Sequence, residues 1–134
     1  MIDFNFLDTE FISLEKNCDW LKKVIKTEKK ILGELTFIFC NDAYLHKKNM
    51  QFLRHDTLTD IITFDYSDKN IIIGDIFISV ERVKENSDIF EVTFLSELDR
   101  VMIHGLLHLL GYKDRSKEEK KIMRFKENFY LSKK

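Results

Sequence analysis

Apolar and polar residues alternate over residues 2–6, which predicts an opening β-strand. Leu14, Cys18, Leu21 and Ile25 then recur at helical spacing. They predict a helix running to about residue 30, with Ser13 as its cap and Glu15 placed well for the dipole. Gly33 is expected to stop that pattern. Residues 35–40 predict a short strand, and Asn41 or Asp42 is expected to cap a second helix over about 43–52. The mostly polar stretch 53–59 reads as a loop. Residues 60–66 and 71–79 predict two more strands, the second interrupted at Gly74-Asp75, with a hairpin-type turn at Ser67-Asp68-Lys69-Asn70 between them. A short amphipathic helix follows around 80–86. Thr93 caps a longer helix to about residue 110, ended by Gly111, and Ser116-Lys117-Glu118-Glu119 forms a capping box for the last helix. Strands and helices mixed in this order predict an α+β fold, a small mixed β-sheet packed with helices, in a single domain over 1–134.

Composition narrows the class. The chain has 134 residues, well above the roughly 70–80 below which a core rarely suffices alone. Hydrophobic residues at 44% beside 34% charged ones exclude a disordered chain. Cys18 and Cys40 form no C-x-x-C pair and read as small core residues, so no disulfide framework is implied. Residues 1–4 lack the basic start of a signal peptide, and no apolar run reaches membrane-spanning length. The expectation is a cytoplasmic protein with no membrane partner. A net charge of −1 argues against a general nucleic-acid binder. The charge is uneven, however: residues 113–134 hold nine Lys/Arg and four Asp/Glu. That excess reads first as a solvated helix face, and second as a guide for an anion. Ile122, Met123, Phe125, Phe129 and Tyr130 are expected to complete the core.

The chemistry concentrates in His104-Gly105-Leu106-Leu107-His108-Leu109-Leu110-Gly111-Tyr112-Lys113-Asp114. Histidines at i and i+4 share one helix face, close enough to hold one ion. Gly111 lets the chain turn sharply, and Asp114 can swing back to the same ion. Two imidazoles and one carboxylate leave a fourth tetrahedral position open, the arrangement of a catalytic zinc. The plainer alternative is a pair of core histidines on a leucine-rich helix. The spacing is close to the zinc-protease pattern H-E-x-x-H-x-x-G-x-x-H, with two departures. Asp114 replaces the third histidine, and Gly105 stands where proteases carry their glutamate base.

The same stretch resembles the signature of the YbeY family of bacterial ribosomal-RNA maturation endoribonucleases, H-G-x-L-H-L-x-G-Y followed by a third ligand. Asp56 and Thr59-Asp60-Ile61-Ile62-Thr63-Phe64 resemble the family's D-x-P-T-D-V-L-S-F segment, with Leu58 in the place of proline. Gly74-Asp75-Ile76 with Ser79 resembles its G-D-I-x-I-S strand. The resemblance implies a zincin-like site on a long helix, with one zinc ion held by His104, His108 and Asp114. It implies single-stranded ribosomal RNA as substrate, the small ribosomal subunit and its assembly factors as partners, and a role in ribosome quality control. No DNA substrate is expected. The family's functional arginine falls on Leu53, and Arg54 beside it is the candidate catalytic guanidinium, with an ordinary loop arginine as the alternative. His55 reads as a solvated loop residue.

Asp60, Asp75 and Glu97 are candidates for a general base. Local roles at strand ends are the simpler reading of the first two. Rival functions are a different metal-dependent hydrolase, which Gly105 argues against, and a non-catalytic assembly factor in which the metal is structural. Nickel, cobalt and iron(II) also suit this ligand set.

Overall fold

The computed structural model describes residues 1–53 and 59–134, with backbone only at 52 and 53. Its elements are β1 (Ile2–Phe6), α1 (Glu15–Thr27), β2 (Ile31–Cys40), α2 (Asp42–Lys48), a π-helical turn (Asn49–Leu53), β3 (Ile61–Asp65), β4 (Ile71–Ser79), α3 (Val80–Ile89), α4 (Phe94–Leu109) and α5 (Lys117–Leu131). The strands form one sheet in the order β1-β2-β4-β3. β1, β2 and β4 run parallel, and β3 is an antiparallel edge paired with β4 from Ile61↔Ile78 to Asp65↔Gly74. This is the mixed α+β architecture that the pattern of elements predicts.

Period-two alternation sorts the strand residues onto two faces. Leu35, Phe37 and Phe39 of β2 and Ile72, Ile76 and Ile78 of β4 join the main core with α1, α4 and α5. Ile38, Cys40, Ile62 and Phe77 face the other way and are covered by Leu45 of α2. Two glycines let α4 lie close on the main face. A Cβ at Gly105 would come within 2.7 Å of Ile61 Cδ1 and 2.9 Å of Ile76 Cγ2. A Cβ at Gly74 would meet the Phe64 carbonyl at 2.5 Å and the Leu109 side chain at 3.0 Å. Gly105 is therefore a packing residue, and no side chain projects from that position toward a substrate.

Several expected boundaries move. Ser13 does not cap α1. Leu14 occupies the N-cap position without a side-chain bond, and its burial in the core sets the start of the helix. α1 ends at Thr27, three residues early, because the chain reverses through Lys29 at φ 61°. Gly33 lies inside β2, next to a register shift between Leu32 and Leu35, so it breaks a strand's regularity and not a helix. α2 stops at Lys48 and widens into the π-helical turn. β4 runs unbroken through Gly74-Asp75, since glycine there makes room for α4. The caps at Asn41, Thr93 and Ser116 stand as expected, the last with its full capping box. Met123 and Tyr130 of α5 are buried, but Ile122, Phe125 and Phe129 are 49%, 66% and 41% exposed, so the last helix completes the core with one narrow stripe only. Cys40 is buried and its thiol is pushed up to about 12 by burial, then by Asp42, which makes it unreactive. Among the described residues, no helix is long and apolar enough to cross a membrane.

Candidate metal centre

His104 and His108 stand one turn apart on α4, and their Nε2 atoms are 3.0 Å apart. α4 then closes in a Schellman motif. The Gly111 N–H donates to the His108 carbonyl and the Tyr112 N–H donates to the Leu107 carbonyl, with Gly111 at φ 105°. The reversal returns Asp114 to the histidines, and Ser116 starts α5 two residues later. Asp114 Oδ2 lies 3.2 Å from His104 Nε2 and 3.5 Å from His108 Nε2. These edges of 3.0, 3.2 and 3.5 Å bracket the roughly 3.3 Å expected between donors of a tetrahedral zinc with bonds of about 2.0–2.1 Å. Among the described residues this is the one His/Cys/Asp/Glu group whose donor atoms converge.

The outer nitrogens explain why the inner ones could hold a cation. His108 Nδ1 donates to the Tyr112 carbonyl at 3.1 Å, and His104 Nδ1 donates to Glu127 Oε2 at 2.7 Å. Both neutral imidazoles then direct Nε2 lone pairs at each other and at a carboxylate oxygen. A proton on His104 Nε2 would relieve the two edges that meet there; a metal ion would relieve all three. The pKa directions follow. Burial lowers that of His104, but the Glu127 hydrogen bond and the charges of Glu127, Asp114 and Asp60 outweigh it and raise it. Burial and then His104 lower that of His108. Burial raises that of Glu127, yet His104 and Arg100 bring it below the usual carboxylate range. Arg100 holds the other carboxylate oxygen at 2.9 Å.

Glu127 thus fixes the ring of His104, as carboxylates behind metal-binding imidazoles do. Glu127→Gln is expected to weaken metal affinity about 10- to 100-fold while the protein stays folded. A competition titration against a chromophoric chelator measures it, and unchanged affinity would remove Glu127 from the site.

A second network braces the loop that carries Asp114. Glu28, at the end of α1, accepts from Tyr112 Oη at 2.6 Å, from Lys126 Nζ at 3.1 Å and from Tyr130 Oη. Burial pushes its pKa up, but these donors outweigh it and hold the carboxyl below its ordinary value. Its contribution is present at neutral pH and is lost as pH falls through that lowered pKa, below the ordinary value of about 4.3. Glu28→Ala is expected to cost about 1–3 kcal/mol at pH 7, because it leaves two hydroxyls without their acceptor. The penalty should shrink in acid; urea unfolding at pH 7 and pH 3 reads both values.

The flanks of the triad differ. His108 and Asp114 border a depression of about 500 Å³ with Lys113, Arg115 and Glu119. His104 borders a pocket of about 490 Å³ whose walls include Asp60, Glu97, Arg100, Arg124 and Glu127. Two of the expected general-base candidates, Asp60 and Glu97, thus lie on the His104 side. Asp75 does not. Its neighbours Gly74 and Ile76 face α4, so Asp75 points to the opposite side of the sheet. Arg54, His55 and Asp56 lie outside the described residues.

The family model for Endoribonuclease YbeY matches residues 5–134. The chain belongs to the YbeY family. Among its relatives, the Endoribonuclease YbeY of Flavobacterium johnsoniae is 54% identical over 96% of this chain and 93% of its own length. That of Bacteroides fragilis is 45% identical over 90% and 87%. The solution structure of a Thermotoga maritima protein superposes with a TM-score of 0.70 at 29% identity, covering 98% of this chain and 87% of that one.

The expectation of a metal-dependent endoribonuclease agrees with YbeY membership, and the triad is a group that could hold a metal. Sequence reading missed Glu127 and Arg100. A signal for Glu127 was present: Met123, Glu127 and Tyr130 are the buried residues of α5, at i, i+4 and i+7. A carboxylate on the buried stripe of an otherwise solvated helix requires a partner inside, and here the partner is His104.

Proposed function

We propose that the chain is a zinc-dependent endoribonuclease specific for single-stranded RNA, acting in the cytoplasm on small-subunit ribosomal RNA during maturation and ribosome quality control. The small subunit and its assembly factors are its partners in this reading, and 1–134 is one metallohydrolase domain. The observation that carries the proposal is the triangle of His104 Nε2, His108 Nε2 and Asp114 Oδ2, partly exposed at 24%, 26% and 39%. The donors converge, and one side stays open for a water and a phosphodiester.

A zinc ion held by His104, His108 and Asp114 would supply Lewis acidity, able to lower the pKa of water to about 7 and to polarise a phosphoryl oxygen. The chain's own residues do the rest. Glu127 and the Tyr112 carbonyl hold the two rings in the tautomer that frees Nε2. Asp114 adds negative charge, which lowers Lewis acidity relative to a three-histidine site. Lys113 and Arg115 on one side, and Arg100 and Arg124 on the other, give an anionic backbone a path across the centre. Arg54 is proposed to neutralise charge on the pentacovalent transition state. Gly105 leaves no glutamate base of the protease kind.

The test is chelation and reconstitution. Single-stranded ribosomal precursor RNA should be cleaved by the zinc-loaded protein, spared after chelation and cleaved again on adding zinc. DNA of the same sequence should stay intact. Recovery with nickel, cobalt or iron(II) but not with zinc would reassign the metal, and cleavage that survives chelation would defeat the reading.

A further inference from the structure

The pocket beside His104 has a feature that the metal centre does not use. Glu97 is only 6% exposed and lines this pocket. Among the described residues, nothing hydrogen-bonds its carboxylate. Arg100 is engaged by Glu127 at 2.9 Å, and Arg124 lies 3.5 Å from that same carboxylate. Burial, and then the charge of Asp60, raise the pKa of Glu97. Among the described residues no fully buried side-chain oxygen or nitrogen lacks a partner, so the Glu97 carboxylate is solvated from the pocket, and a ligand that displaces that water must bring donors of its own.

The other walls restrict what that ligand is. Phe90 and Val92 stand at the rim, 60% and 43% exposed, and offer apolar surface to a flat group. Asp60, Glu97 and Glu127 share these walls with Arg100 and Arg124, and Arg124, 62% exposed, is the cation placed to meet a phosphate. A second metal ion does not fit, since Asp60, Glu97 and Glu127 form no convergent group. The volume of about 490 Å³ is within the usual range of small-molecule sites, roughly 300–1,000 Å³. Planar, uncharged, rich in N–H and joined to phosphate describes an unstacked base of single-stranded RNA. An ionised carboxylate only accepts, and guanine alone presents a ring N–H and an amino group side by side. Adenine and cytosine set an acceptor beside their amino group, and uracil has one N–H between two acceptors.

We propose that this pocket holds one guanine of the RNA substrate, with its N1–H and N2 amino group donating to the Glu97 carboxylate. The inference rests on the ribonuclease reading and deepens it: the pocket borders His104, so the guanosine is next to the phosphodiester at the metal. Cleavage then favours linkages that flank a guanine. Glu97 recognises the base, and Phe90 supports it.

Mononucleotides test this without any cleavage, because they contain no phosphodiester linkage. The zinc-loaded protein is titrated with GMP, IMP, AMP, CMP and UMP and followed by amide chemical shifts. Phosphate contact with the metal is common to all five, so differences report on the base. GMP should bind about tenfold more tightly than AMP, CMP or UMP, with IMP between, and should shift pocket amides. Glu97→Gln, checked for its amide spectrum and zinc content, should reduce the preference to less than about twofold. Phe90→Ala should weaken all bases alike. Equal affinities in the wild type, a preference that survives Glu97→Gln, or shifts confined to other surfaces would overturn the proposal. Guanine preference in a protein that cleaves no RNA would sustain the pocket and defeat the ribonuclease reading. Cleavage without any base preference would overturn the pocket alone.

Discussion

His108→Ala is expected to lower zinc affinity by more than about 100-fold, while thermal stability falls by only a few degrees. The metal loss follows from geometry. His108 Nε2 is one corner of a three-atom site, 3.0 Å from His104 Nε2, and its removal leaves two donors. Removing a group that merely orients a ligand already costs about 10- to 100-fold, so losing a ligand should cost more. The modest stability loss follows from packing. The side chain is 26% exposed, and its Nδ1 bonds only the Tyr112 carbonyl, which water can reach once the ring is gone. One such hydrogen bond contributes about 1 kcal/mol, or roughly 4 °C for a domain of this size. Metal analysis beside a thermal scan measures both. Full zinc stoichiometry in the variant would sink the ligand assignment.

The second large effect is expected at Gly105. Gly105→Glu supplies the residue that zinc proteases use as base, yet the result should be a badly destabilised protein with no peptidase activity. The new Cβ would lie 2.7 Å from Ile61 Cδ1 and 2.9 Å from Ile76 Cγ2, between α4 and the sheet. Overpacking of this kind costs about 1–3 kcal/mol. The buried carboxylate adds several kcal/mol more, since only apolar atoms face it. Together these approach the whole stability of an ordinary domain, about 5–15 kcal/mol. Gly105→Ala is the control. The tip of Ile61 can move aside, but Cγ2 at the branch point of the buried Ile76 cannot, so the gain in helix propensity of about 1 kcal/mol offsets only part of the overpacking and the melting temperature should fall by about 5 °C. A Gly105→Glu protein as stable as wild type would show that α4 does not need glycine to approach the sheet.

These two residues show what the sequence made legible. The i,i+4 histidines, the turn glycine and Asp114 were readable because each answers a local geometric need within eleven residues of chain. The capping box at Ser116 and the caps at Thr93 and Asn41 were readable for the same reason. The glycines were harder. Gly33, Gly74 and Gly105 look alike in sequence, but what decides their roles is the partner across the gap, and that partner is distant in the chain. The sequence predicts an interruption of β4 at Gly74, whereas the strand runs on through it and the missing Cβ leaves room for Leu109 and the Phe64 carbonyl. Glu127 is the clearest omission. It is 23 residues from His104, and only the packing of α5 on α4 brings them together. Ser13 failed as a cap because burial of Leu14 decided where α1 begins. The exposed Phe125 and Phe129 failed as core because α5 has a single buried stripe, already filled by Met123, Glu127 and Tyr130.

The most direct test of the central claim compares RNA cleavage by zinc-loaded wild type and His108→Ala, purified side by side, on a single-stranded fragment of small-subunit precursor RNA. The account predicts discrete cleavage by wild type that chelation abolishes, and none by the variant. Equal cleavage by both proteins would contradict it, because the metal site would then have no part in breaking the RNA.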